Sequence, residues 1–176
     1  MANLLICSAL GPNKSEILGE LAVLATESQC KIADMRASAL GEEMCVCFVL
    51  SGHWNALAKF EHQIQALAPK LDLQVHIKRS KIQQHSEALL PYTVQIFTGE
   101  SSSLISDVTT FFIQQGIVIQ ELFSNTYTAH QTDATVTVLN LAIGIPAQHQ
   151  INAVRDAFQI LCDECNLDGI LEPIKN

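Results

Sequence analysis

The stretch from Leu40 to Leu57, Leu-Gly-Glu-Glu-Met-Cys-Val-Cys-Phe-Val-Leu-Ser-Gly-His-Trp-Asn-Ala-Leu, constrains the fold more than any other part of this sequence. Gly41-Glu42-Glu43 reads as a turn, Met44 to Leu50 is apolar throughout, and Ser51-Gly52-His53 reads as a second turn before a helical pattern begins. So short an apolar run between two turns is a strand. Side chains alternate across a strand, so Met44, Val46, Phe48 and Leu50 share one face and Cys45, Cys47 and Val49 the other. A strand apolar on both faces belongs at the centre of a sheet. Helices cover one face, and the other is expected to be covered by another domain or chain.

The remaining pattern fits around that strand. Leu4 to Leu10 is a short apolar run closed by Gly11-Pro12, and Asn13 or Ser15 can cap the helix whose stripe is Ile17, Leu18, Leu21, Leu24 and Ala25. Lys31 to Leu40 partly alternates, as a half-buried strand does. Trp54, Leu57, Phe60, Ile64, Leu67 and Leu71 form a second stripe, with Trp54 expected in the core, and Leu73, Val75 and Ile77 alternate with polar residues. The order is β-α-β-β-α-β. It recurs after a polar stretch: strand Tyr92–Phe97, stripe Leu104, Ile105, Val108, Phe111 and Phe112, strands 117–128 and 134–145, stripe Ile151, Val154, Phe158, Leu161 and Cys165, and a last strand 169–174. The fold class is therefore α+β, with two tandem ferredoxin-like βαββαβ domains, antiparallel sheets and helices on one face. The expected domains are residues 1–80 and 92–176, with 81–91 as linker. Thr93, Gln95, Thr135 and Thr137 suggest that the second sheet's outer face is wetter than the first's.

Charge narrows the function classes. The chain carries 18 Asp and Glu against 10 Lys and Arg, a formal charge of -8. A protein gripping nucleic acid must neutralise phosphates with clustered cations, and the densest cluster here is only Lys78-Arg79-Ser80-Lys81. Direct nucleic-acid binding through an outer sheet face would also call for aromatic and basic residues on the central strands, where this sequence puts Cys7, Cys45, Cys47 and Thr137. No apolar run reaches the roughly 20 residues of a membrane span, and no basic segment precedes the first apolar residues, so the expected compartment is the cytoplasm. The six cysteines are then expected as thiols.

Catalytic signatures are missing. The sequence has no G-x-S-x-G elbow, P-loop or G-x-G-x-x-G, so neither an enzyme nor a cofactor is expected. Cys162-x-x-Cys165 has no second pair at zinc-finger spacing, and with Cys165 on the apolar stripe the pair reads as packing. The scattered histidines read as surface or capping residues, and no metal is expected. Turn residues Glu42 and Glu43, with His53 and Asn55 at the following helix start, are the candidates for partner recognition, because loops on rigid scaffolds carry binding.

Leu40-Gly41-Glu42-Glu43, Leu50-Ser51-Gly52-x-Trp54-Asn55-Ala56 and Ala157-Phe158-x-x-Leu161-Cys162-x-Glu164-x-Asn166 resemble the glycine cleavage system transcriptional repressor family, whose members consist of two ACT domains in tandem. The resemblance implies a regulator that binds a transcriptional activator and represses the glycine cleavage operon, with glycine or another small amino acid as modulator. It also implies self-association. The ligand is expected at the loop after the first strand, which places Gly11, Asn13, Lys14 and Ser15 at the site, with Lys14 or Lys31 against a ligand carboxylate and Asp34 against its ammonium. The equivalent loop in the second half is Gly99, Glu100 and Ser101. The first loop reads Asn13-Lys14-Ser15-Glu16 where the family has close to Asp-Arg-Pro-Gly, and Lys31 and Val118 stand where an Asn is usual. An amino-acid-binding module of a metabolic enzyme is the alternative reading.

Overall fold

A computed structural model of the chain describes residues 3–81, 88–99, 102–128 and 134–174. They fall into two compact units, divided between Gln84 and His85. The first unit runs β1 (Asn3–Pro12), α1 (Glu16–Glu27), β2 (Lys31–Leu40), β3 (Glu43–Gly52), α2 (Trp54–Leu67), a 3-10 turn (Ala68–Leu71) and β4 (Gln74–Lys81). Its sheet has the order β2-β3-β1-β4, so the strand singled out in the sequence is central, paired to β1 and β2. All neighbouring pairs are antiparallel.

Leu5, Cys7 and Ala9 of β1 interlock with Met44, Val46, Phe48 and Leu50 of β3 under Ile17, Leu21, Leu57, Phe60 and Ile64 of the helices. Phe48 and Phe60 meet edge to face at 5.9 Å, the arrangement their ring quadrupoles favour. A bulge between Ile32 and Asp34 reverses the alternation of β2, so that Ile32 and Met35 both reach this core. The opposite sheet face carries Ile6 and Leu10, each about 40% exposed, beside Cys45, Cys47 and Val49.

Two expectations for this unit need correction. β1 does not stop at Leu10: Gly11 and Pro12 continue it, opposite Met44 and Glu43. Gly11 is required there by close approach, since a Cβ would lie 2.6 Å from the Asp72 carbonyl oxygen. Trp54 is 61% exposed and outside the core. It opens α2 at the sheet's end, where no layer stands above it, and the Arg79 guanidinium lies over its ring at 5.2 Å.

The second unit repeats the order with β5 (Leu89–Thr98), α3 (Leu104–Gln114), β6 (Val118–Thr128), β7 (Thr135–Pro146), α4 (Ile151–Cys165) and β8 (Asp168–Pro173), in a sheet ordered β6-β7-β5-β8. Leu89 to Pro91, expected in the linker, are paired with Gly144 to Pro146 as the start of β5; residues 82–87 lie outside the described residues. Pro91 is tolerated because the ladder to β8 begins only at Tyr92. The core joins Val94, Ile96, Leu139, Leu141 and Ile143 to Val108, Phe112, Val154 and Phe158.

On the outer face Gln95 donates to the Asn140 side-chain oxygen at 3.0 Å near Thr93. Thr137 falls instead on the Leu139 side, bonded to Thr126 at 3.0 Å, because odd positions of β7 face the helices. Ile105 is exposed, and Cys162 rather than Cys165 completes the stripe of α4: the spacing Val154, Phe158, Cys162 holds an i+4 row.

Candidate functional site

The loop from β1 to α1 is closed by backbone bonds. The Asn13 N–H donates to the Glu42 carbonyl at 2.9 Å, and the Lys14 N–H to that of Pro12 at 2.8 Å. Ile17 and Leu18 donate to the carbonyls of Lys14 and Ser15 at 3.1 and 3.2 Å. Ser15 is the N-cap in helical conformation and makes no side-chain cap bond. The capping expected from Asn13 or Ser15 is thus taken over by tight backbone turns, and both side chains stay exposed beside Lys14.

This loop and the β2–β3 turn lie side by side. Pro12 pairs with Glu43, Asn13 with Glu42, and Gly41 makes the turn with φ of +66°, a conformation that favours glycine. A groove of about 370 Å³ opens next to them, lined by Leu10, Gly11, Glu43, Asp72 and Gln74. Two sets of residues that sequence reasoning kept apart, Gly11 to Ser15 and Glu42 with Glu43, therefore form one surface. The groove presents the Glu43 and Asp72 carboxylates, and Lys14 is exposed on the adjoining loop.

Lys31 is elsewhere. It pairs with Ser51, eight residues along β3 from Glu43, which at about 3.3 Å per residue is roughly 26 Å away. Lys14 and Lys31 cannot share one small ligand within a unit, because α1 carries the chain the full length of the sheet before β2 starts. Asp34 sits between these ends and is held by Arg36 at 3.1 Å. His53 and Asn55 flank Trp54 at the Lys31 end and are exposed. In the second unit Gly99 lies in a bend with open space around its Cα, while Glu100 and Ser101 lie outside the described residues. Val118 begins β6 opposite Gly144.

The structure adds residues that the sequence did not single out. Glu61 accepts two bonds from Arg79, at 2.9 and 2.6 Å, and these bonds hold its carboxyl below the usual carboxylate range. The clamp fixes the guanidinium over Trp54. Its one sequence signal is that Glu61 lies seven residues, two helical turns, after Trp54. His149 does cap, donating from Nε2 to the carbonyl of Gln115 at the end of α3, 2.9 Å away. A larger groove, about 520 Å³, runs between α1 and α2 past Glu20, Val23, Glu27 and His62.

The buried thiols Cys7, Cys30 and Cys162 are held protonated. Burial pushes Cys7 up to about 12 and raises Cys30 and Cys162 as well. A thiol needs the opposite shift to act as a nucleophile near neutral pH. Among the described residues no three His, Cys, Asp or Glu side chains are grouped to hold a metal, and no helix is long and apolar enough to cross a membrane.

Four antiparallel strands in the order 2-3-1-4 packed against two helices define a ferredoxin-like βαββαβ module, and residues 3–78 match the ACT domain family. The second unit is built on the same order, so the chain is two ferredoxin-like βαββαβ units in tandem. It is 28% identical to the glycine cleavage system transcriptional repressors of Escherichia coli (strain K12) and Shigella flexneri over 170 residues, 97% of this chain and 90% of each relative. The resemblance to that family extends along the whole chain. Its fold is shared with a crystal structure assigned to a glycine cleavage system transcriptional repressor, at TM-score 0.74 and 22% identity over 100% of this chain and 99% of the other. An unknown protein from Galdieria sulphuraria has the same fold at TM-score 0.78 and 16% identity, covering 99% and 100% of the two chains.

Proposed function

We propose that this chain is a cytoplasmic transcriptional regulator, not an enzyme, that represses the glycine cleavage operon by binding a transcriptional activator protein. Glycine or another small amino acid modulates it. The observation that carries this reading is the similarity along 97% of the chain to proteins named as repressors of that system. Charge supports a protein partner over DNA. Residues 1–84 contain eight Lys and Arg against eight Asp and Glu, and residues 85–176 contain two against ten, so neither half has the cationic excess that phosphate binding needs.

Residues 1–80 and 92–176 are the two domains of this reading. Gly11, Asn13, Lys14 and Ser15, together with Glu42 and Glu43, form the ligand-responsive end of the first, and Gly99, Glu100 and Ser101 the corresponding loop of the second. Lys31, His53 and Asn55 belong to the opposite end, with Asp34 between the two, and these four serve the partner or a second copy of the chain. A pull-down from the source cell, with and without glycine, tests the reading: an activator should be captured and glycine should change its yield. Calorimetry separates the ligand claim, with Lys14→Ala expected to weaken glycine binding and Lys31→Ala to leave it unchanged. No heat at millimolar glycine would remove the sensor role.

A further inference from the structure

We propose that Cys45 and Cys47 form a two-coordinate site for a soft monovalent d10 cation, such as Cu(I), on the outer face of the first unit's sheet. The two residues stand two apart on the central strand β3, so both thiols project from the same face, the one turned away from the helices. Cys47 is exposed and Cys45 half-buried, and both are thiols. Alternate positions on one strand face put the two soft donors side by side, about 6.6 Å apart at Cα. Register places Arg36 of β2 directly opposite Cys47, with Ser8 of β1 on its other side. Leu10 and Ser38 flank Cys45 in the same way.

That environment selects the ligand. No third His, Cys, Asp or Glu joins the pair among the described residues, so ions that need four ligands or an oxygen shell are not served. Soft thiolates favour Cu(I), for which two sulfurs suffice. Binding releases both thiol protons and leaves a bis-thiolate complex of net charge -1, and Arg36 supplies the facing positive charge. Asp34, 3.1 Å from Arg36, holds the guanidinium in place and partly offsets its charge. Direct oxidation of the pair to a disulfide fits less well. Alternate residues on a strand lie about 6.6 Å apart at Cα, close to the upper limit for a disulfide, and their Cβ vectors run parallel instead of converging. An ion between the sulfurs spans that gap without bending the strand.

The test is anaerobic titration of the reduced full chain with Cu(I) in competition with a chromogenic Cu(I) chelator. The expected result is one Cu(I) per chain, lost in Cys45→Ser and in Cys47→Ser, kept in Cys165→Ser, and weakened about tenfold in Arg36→Gln. Phenylarsine oxide, which needs two neighbouring thiols, gives a readout without variants: a single adduct should map to the peptide containing residues 45–47. Retention of Cu(I) by the folded Cys45→Ser variant would overturn the site. So would an arsenical adduct confined to other cysteines, or no competition with the chelator.

Discussion

Cys7 shows how one side chain can tie stability to pH. It is fully buried between the helices and the sheet, and burial lifts its pKa to about 12. The unfolded thiol ionises near 8.5, so the stability it contributes is complete below that pH and is lost as pH rises toward 12. Urea midpoints should therefore fall in alkali, and less so in Cys7→Ala. Glu61 works in the other direction. Arg79 holds its carboxyl below the unfolded value, so its contribution is present above about pH 4.3 and disappears as pH falls through the folded value. Glu61→Gln should remove that acid dependence and release Arg79 from Trp54, which the fluorescence of the single Trp would register. Trp54→Ala should cost under ~1 kcal/mol because the ring is mostly in water, whereas Phe60→Ala, which empties a fully buried ring position, should cost about 3–5 kcal/mol. Chemical denaturation of the two variants checks the contrast. Trp54 was misread from the sequence because a helical stripe gives direction only; whether another layer stands over its first turn is decided by where α2 begins relative to the sheet.

At the scale of elements, α4 and β8 meet without a spare atom. A Cβ on Gly169 would lie 2.5 Å from Cys162 Sγ and 2.8 Å from Phe158 Cζ. Gly169→Ala should destabilise by about 1–3 kcal/mol, while Gly99→Ala, with nothing within 4 Å, should be close to neutral. Thermal unfolding of the pair measures the difference. Element order was legible because period and turn residues are local properties: all eight strands and four α-helices among the described residues were anticipated. Strand ends were not, since pairing carried β1 through Gly11-Pro12 and β5 back to Leu89. The bulge in β2 was also invisible, because partial alternation in Lys31–Leu40 does not show where the register shifts.

Across the whole molecule, each unit has its own apolar core, one built around Phe48 and Phe60 and the other around Phe112 and Phe158. Phe60→Ala should accordingly lower amide-exchange protection in β1 and β3 while leaving β5 and β7 protected as before. Loss of protection in β5 and β7 would show that the units unfold as one. The negative charge is divided just as unevenly, since the second half holds the entire excess of acidic residues. Sequence alone determined the repeated βαββαβ order, the central position of Met44 to Leu50 and the family resemblance, because each depends on the spacing of residues along the chain. Which candidates meet was decided only by tertiary structure. Antiparallel pairing set Glu42 and Glu43 against Gly11 to Ser15 and sent Lys31 to the other end of the sheet, roughly 26 Å away at about 3.3 Å per residue. A crossover helix that returns the chain to the far end of the sheet makes near neighbours in sequence distant in space, and strand register brings distant ones into contact.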